Sequence, residues 1–415
     1  MRTGRDWLLA ATRGEKVDQI LWTPRLDLWY RAHLRMGTLP EKWRDATMWD
    51  IIREIGGLLY YPNIPTWREK LWGVQIVETV DGKVTGADQP MTLSFSGREA
   101  WSRGQNWGQT IVTEYRTPRG TVTTKHVWTE DMALGGVQSP QLQERMIKSV
   151  DDYQVAEYLL EHTEYLADYE LIEDMATEFG EDGLPIGGAG WTAIHSLMQE
   201  YIGYDQCFYH MYDNPREFER LLQVLRERRL EVRRIAALSP AQILMVGCNW
   251  SDSITSPPIF KKYFLPELVE AVDLVHAHGK LTTCHVDGDM KRLLKLFAQT
   301  GVDVAEALAP HPMGNYTLAE AREAFGNRMT IWGGIPTPLF TNSYRDEEFD
   351  DYVRDILATV APGGRFVLAM GDNIPPNGVF ERILRVPELL KESGHYSSRV
   401  GQTRLESPSK CPGEA

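Results

Sequence analysis

Short runs of apolar and β-branched residues alternate with longer amphipathic stretches along most of this chain, which is the pattern of a parallel α/β fold. Eight runs read as strands: Ile20–Arg25, Gly57–Tyr61, Leu184–Gly188, Ile243–Cys248, Leu281–His285, Val302–Ala307, Met329–Gly333 and Phe366–Met370. Between them Glu217–Ala237, Phe264–His278, Met290–Thr300, Thr317–Phe325 and Asp346–Val360 repeat apolar residues at helical spacing. Most of these begin near Asp, Asn, Ser, Thr or Pro, as helix starts do. Eight strands in βα alternation predict a (β/α)8 TIM barrel. No Gly-x-Gly-x-x-Gly turn follows the first strand to indicate a dinucleotide fold.

One segment breaks the alternation. From Gly73 to Val127 the pattern has period two, with Val74–Val80 and Lys83–Thr85 separated by Asp81-Gly82. Asp-Gly between alternating runs is a strong hairpin signal. A second hairpin is expected at Val112–Tyr115 and Val122–Lys125, turned by Pro118-Arg119-Gly120. We read 73–127 as an antiparallel β insertion after the second barrel strand, within a single domain spanning 1–400. A lid, a dimer surface and a partner-docking face all remain open for it, and a homodimer with it. Residues 401–415 lack periodic apolar positions and are expected to be disordered.

Composition narrows the function classes. No apolar run approaches the roughly 18–20 residues needed to span a bilayer, and the N-terminus lacks an apolar signal-peptide core, so a cytoplasmic location is expected. Four cysteines without a Cys-x-x-Cys pair argue against a disulfide framework and a thiolate zinc knuckle. A net charge of −14 disfavours nucleic acid as a partner. The 13 tryptophans are unusual. Trp22, Trp29, Trp191, Trp250 and Trp332 fall near strand ends or loops, where they could line a pocket or simply fill core.

The chemistry is concentrated at strand ends. Cys284-His285-Val286-Asp287-Gly288-Asp289 closes one strand, Glu306 closes the next, and Gly371-Asp372-Asn373 closes the last. In a barrel these ends share one mouth, where enzymes of this fold build their sites. His285, Glu306 and Asp372 would together be a competent ligand set for Zn²⁺ or a similar divalent ion. Asp287 could replace one carboxylate or orient the imidazole. Arg25, Asp27 and Trp29 end the first strand: Arg25 could clamp a carboxylate, and Trp29 could stack on a flat substrate. Asn249 could hydrogen-bond a polar substrate group, and Tyr61, Trp332 and Asn373 complete the expected substrate contacts. Cys248 reads as a packing thiol. Pro375-Pro376 would stiffen the loop that presents Asp372 and Asn373.

These motifs have a family likeness. Gly279-Lys280 through His285-Val286-Asp287-Gly288, Gly301-Val302-Asp303, Trp332-Gly333-Gly334-Ile335 and Gly371-Asp372-Asn373-Ile374-Pro375 resemble the uroporphyrinogen decarboxylase superfamily, as does Arg13-Gly14-Glu15-Lys16-Val17-Asp18 leading into the first strand. The resemblance is clearest over about residues 240–395. It implies a (β/α)8 barrel and one of two chemistries: metal-free decarboxylation of a tetrapyrrole, or zinc-dependent methyl transfer involving a corrinoid or a thiol. The decarboxylases carry an Arg-Gln-Ala-Gly-Arg type motif where this chain reads Pro24-Arg25-Leu26-Asp27-Leu28-Trp29-Tyr30. The methyltransferases show His-x-Cys and Gly-Cys, where this chain keeps His285 but has Asp287 and Asp372. The resemblance therefore favours a metal-dependent methyltransferase that moves a methyl group from a small methylated substrate, such as a methoxy compound, to a corrinoid on a partner protein. A thiolate acceptor is disfavoured. Asp287 would orient His285 or donate a proton. The alternative is a metal-independent decarboxylase, with Arg25 on a carboxylate and Asp27 stabilising the protonated intermediate. A non-catalytic barrel that binds a corrinoid or small ligand is the third.

Overall fold

The computed structural model describes residues 2–87, 108–360 and 364–393; the expected disordered tail at 401–415 and the middle of the β insertion lie outside the described residues. We number the strands in chain order. Eight form one parallel sheet: β1 (Leu21–Thr23), β2 (Leu59–Ile64), β10 (Gly183–Gly188), β11 (Ile243–Cys248), β12 (Leu281–His285), β13 (Val304–Leu308), β14 (Thr330–Ile335) and β15 (Phe366–Met370). Their order is β1-β15-β14-β13-β12-β11-β10-β2. Leu58 N–H donates to Trp22 O at 2.8 Å and draws the two edge strands together, so the sheet nearly closes. All eight predicted strands are present, and the fold is the expected (β/α)8 barrel with an antiparallel insertion.

The strands read as near-continuous apolar runs because both faces are covered. One face fills the barrel with Leu21, Tyr60, Ile186, Met245, Val304, Trp332 and Val367. Leu8, Leu9 and Ala11 of the helix Gly4–Arg13 join the same cluster. That helix lies across the starts of the strands: Thr330 Oγ1 donates to Ala11 O, and Arg5 N–H donates to Glu181 O. A Thr3–Asp6 capping box starts it and left-handed Gly14 ends it. The bottom of the barrel is thereby plugged, and its open end is the C-terminal one.

The insertion is larger than its sequence pattern indicates. The predicted hairpins are present, with Val112 opposite Lys125 and Tyr115 opposite Val122. Asp81 (φ 48°) and Gly82 (φ 78°) both turn left-handed, as a type I′ hairpin requires. The sheet order is β5-β4-β6-β7-β8, for Lys83–Ala87, Gln75–Val80, Gln109–Thr117, Gly120–Trp128 and Gln141–Glu144. The strand β8 was missed because its sequence, Gln-Leu-Gln-Glu, is short and polar. A further pair, β3 (Trp67–Leu71) with β9 (Thr163–Ala167), links the insertion to the barrel. Ile76, Tyr115 and Val122 pack against Val155 and Leu159 of the helix Tyr153–Glu161. Among the described residues, no helix is long and apolar enough to cross a membrane.

Two buried polar features brace the loop after β10. Arg233 on the helix Pro215–Leu238 pairs with Glu267 on the helix Leu265–Ala277 at 2.6 Å, both about 1 % exposed. Glu267 also accepts Ala193 N–H with both oxygens, at 3.0 and 2.9 Å, and Arg233 donates to Trp191 O. Removing one partner would strand a buried charge. We expect Glu267→Ala to cost roughly 3–5 kcal/mol in denaturant unfolding, and a loss below about 1 kcal/mol would contradict this assignment. Nearby, His195 is 2 % exposed among Trp191, Trp250 and Phe264, and its Nε2 lies 2.7 Å from Gln199 Nε2. Burial pushes its pKa down to about 4 from 6.5. The unfolded chain therefore takes up a proton between these values that the folded chain refuses. The stabilising contribution is complete above pH 6.5 and falls as pH drops toward 4, by roughly 3 kcal/mol in all. His195→Leu should flatten the dependence of stability on pH across this window, whereas matching slopes for the two proteins would rule the assignment out.

Candidate active site at the barrel mouth

The ends of β12, β13, β15 and β1 carry the predicted groups to one place. Register sets Cys248 beside His285 and His285 beside Glu306, so the imidazole and the Glu306 carboxylate lie on neighbouring strands. The strands β2, β11 and β13 each carry an extra residue near the C-terminal end, between Tyr61 and Ile64, Met245 and Gly247, and Glu306 and Leu308. Such bulges re-aim side chains at a barrel rim. Asn63, Asn249 and Ala307, each at such an end, have φ of 55°, 50° and 56°, a conformation that L residues adopt at a cost.

Glu306 is fully buried. Its Oε2 lies 2.5 Å from His285 Nδ1, and its Oε1 accepts from Tyr60 Oη at 3.2 Å. Burial alone would raise its pKa, but the charge and hydrogen bond of His285 and the charge of Arg25 outweigh that and hold it below the usual range. Burial works against charging His285 as well, yet Glu306 and Asp287 push its pKa up. The imidazole Nδ1 is thus committed to Glu306. Nε2 faces Asp287, whose Oδ1 is 3.6 Å away, beyond hydrogen-bond range. Burial raises the Asp287 pKa, and Asp372 and Glu306 add to the rise against the pull of His285 and Arg25.

The ligand atoms that gather within 4.8 Å of one another are those of His285, Asp287 and Asp372. This differs from the expected set of His285, Glu306 and Asp372, because Glu306 lies against Nδ1 and is taken up by that bond. Asp287 Oδ1 is buried and accepts no hydrogen bond, and Asn373 Oδ1 is in the same state. A buried acceptor without a partner has lost its hydration with nothing in return, and a cation would meet it. One imidazole and two carboxylates form a donor set that fits a divalent ion of zinc's kind.

Arg25 is the other charged centre. Its Nη1 donates to Asp372 Oδ1 at 3.2 Å, and its Nε lies 3.5 Å from Asp27 Oδ2. Asp27, 4 % exposed, also faces Arg31 at 3.5 Å. Asn373 Nδ2 donates to Asp372 Oδ1 at 3.3 Å, and Ile374 N–H donates to Arg25 O, so the double-proline loop is tied to the end of β1.

Beside these groups lies a cavity of about 350 Å³ lined by Arg25, Tyr61, Asn63, Ile64, Leu171, Trp191, Met245, Cys248, Asn249 and His285. That is near the small end of the range for ligand sites, roughly 300–1,000 Å³. Of the expected substrate contacts, Arg25, Tyr61 and Asn249 line it. Trp29, Trp332 and Asn373 do not. Trp29 is 2 % exposed and stacks on Phe380 at 4.6 Å, in the outer core. Trp332 is fully buried inside the barrel, donates through Nε1 to Thr23 Oγ1 at 2.8 Å, and packs on Tyr60 at 4.9 Å. A strand tryptophan points into the barrel or out of it by residue parity, and aromaticity alone does not reveal the direction. Tyr60 and Asn63 were missed. Tyr60 sits within an apolar strand and looks like core, and only its reach to Glu306 distinguishes it. Burial drives the Cys248 pKa well up, so this thiol stays protonated and packs as expected.

A barrel with its charged groups at this rim is a well-populated class, and here the class narrows. The chain belongs to the uroporphyrinogen decarboxylase family: the family model for uroporphyrinogen decarboxylase (URO-D) matches residues 131–393, more than half of the sequence. Among solved structures, a methyltransferase from Methanosarcina mazei matches with a TM-score of 0.57 and 14 % sequence identity, over 94 % of this chain and 99 % of that one. No functionally curated protein matches the sequence.

Proposed function

We propose that this protein is a metal-dependent methyltransferase that moves a methyl group from a small methylated substrate to a corrinoid carried by a partner protein. The observation that carries the reading is the His285–Asp287–Asp372 cluster, with its buried and unpartnered Asp287 oxygen. Family membership supports it, as does the fold shared with a methyltransferase. A divalent ion held by these three residues would supply Lewis acidity toward the atom that gives up the methyl group.

The chain's own residues do the rest. Glu306 accepts the Nδ1–H of His285, which keeps Nε2 as the free donor atom facing Asp287. Tyr60 holds Glu306 from the barrel side, and Trp332 packs on Tyr60. Arg25 holds Asp372 in place through Nη1. Asp287 takes the role that the sequence pattern assigned to Glu306, and Glu306 becomes a positioning residue. Tyr61 and Asn249 on the cavity wall orient the substrate.

A second reading, a metal-independent decarboxylase, draws on the Arg25–Asp27 pair at the mouth. The two part on metal content. Elemental analysis of the protein should find a divalent ion in the wild type and none after His285→Ala or Asp287→Ala. Glu306→Gln should keep the site but weaken its metal affinity by about 10–100-fold. Metal-free protein recovered from metal-replete medium would overturn the methyltransferase reading, and so would an ion retained in both Ala variants.

A further inference from the structure

The cavity and the cluster beside it differ in charge. The carboxylates Asp27, Asp287, Glu306 and Asp372 are not on the cavity wall, whereas Arg25 and His285 are. Among the lining residues, Arg25 alone carries a permanent charge, because a guanidinium does not lose its proton in a protein. Its side chain is 17 % exposed. Asp372 takes one Nη1 contact, and Asp27 stands 3.5 Å from Nε, which makes no hydrogen bond. Among the described residues, Nη2 makes no hydrogen bond to the protein. A guanidinium offers five N–H donors in a planar fork, so this one is anchored and still has donors to give.

The rest of the wall suits a flat molecule. Trp191 and Tyr61 line the cavity with aromatic rings, and both are held in place. Tyr61 sits edge-on to Trp49 at 6.0 Å, and Trp191 sits edge-on to His195 at 5.4 Å. Asn63 and Asn249 add neutral amides with fixed, left-handed backbones. A volume of about 350 Å³ accommodates a single substituted ring.

We propose that the substrate is a small aromatic carboxylic acid bearing the methyl group, its carboxylate gripped by Arg25 and its ring lying between Trp191 and Tyr61. This deepens the methyl-transfer reading and rests on it only for which end of the molecule reacts.

Titration calorimetry on the full chain tests it with 4-methoxybenzoate and its neutral isostere 4-methoxybenzamide. The carboxylate should bind the wild type about tenfold tighter or more, since a charge-assisted hydrogen bond outweighs a neutral one. Arg25→Gln should abolish that preference, and Arg25→Lys should keep part of it, which separates loss of charge from loss of fold. Equal binding of the two compounds overturns the proposal, as does a preference that survives Arg25→Gln, or no binding of either. Product analysis with a corrinoid acceptor separates this from the reading beneath it. Carboxylate-selective binding without loss of the methyl group would retire methyl transfer and leave the carboxylate site standing. Demethylation with no preference for the acid would do the reverse.

Discussion

A carboxylate with no exposed surface sits beneath the barrel mouth, and the arrangement above it follows from that charge. Glu306 cannot keep its charge inside a barrel of Val, Ile, Leu and Trp without compensation, because an isolated buried carboxylate is strongly disfavoured. Compensation comes from His285 on the next strand, Tyr60 across the barrel and the Arg25 charge. Each of these comes from a different strand, His285 and Arg25 at its end and Tyr60 within it. Satisfying one buried group therefore fixes the relative placement of β2, β12, β13 and β1 beneath the barrel mouth.

The same demand explains the division of labour among the acidic residues. A carboxylate hydrogen-bonded to an imidazole nitrogen sets which nitrogen remains available, and Glu306 does this from below. Asp287 and Asp372 are then left with oxygens that face one another and His285. Arg25 and Asn373 restrain Asp372, while Asp287 Oδ1 has no protein partner. Like charges are kept together only where something else stabilises them. Within the described residues, the protein supplies that for Glu306 and partly for Asp372, but not for Asp287.

The frame around the mouth is braced at some distance from it. The Arg233–Glu267 pair joins two outer helices to the start of the short helix after β10, and so holds the loop that carries Trp191. Bulges and left-handed residues at three strand ends make local departures from ideal strand geometry. Regular strands would send these side chains alternately in and out, and the irregularities redirect them to the rim. In this chain, a member of the uroporphyrinogen decarboxylase family, the candidate site thus lies at the least regular edge of the barrel.

What the sequence determined by itself follows from periodicity. Period-two and continuous apolar runs located all eight barrel strands, and Asp81-Gly82 located a hairpin, because these patterns report local burial and local turn geometry. The order of strand ends likewise brought His285, Glu306, Asp372 and Arg25 to one mouth. Tertiary structure decided what each group faces. Trp332 and Trp29 carry the same ring as Trp191, but parity and helix packing turn them into core. Glu306 and Asp287 carry the same carboxylate, but one lies under the imidazole and the other beside it. Distances of 2.5 and 3.6 Å separate those fates, and they arise from contacts between residues far apart in the chain, which no local pattern encodes.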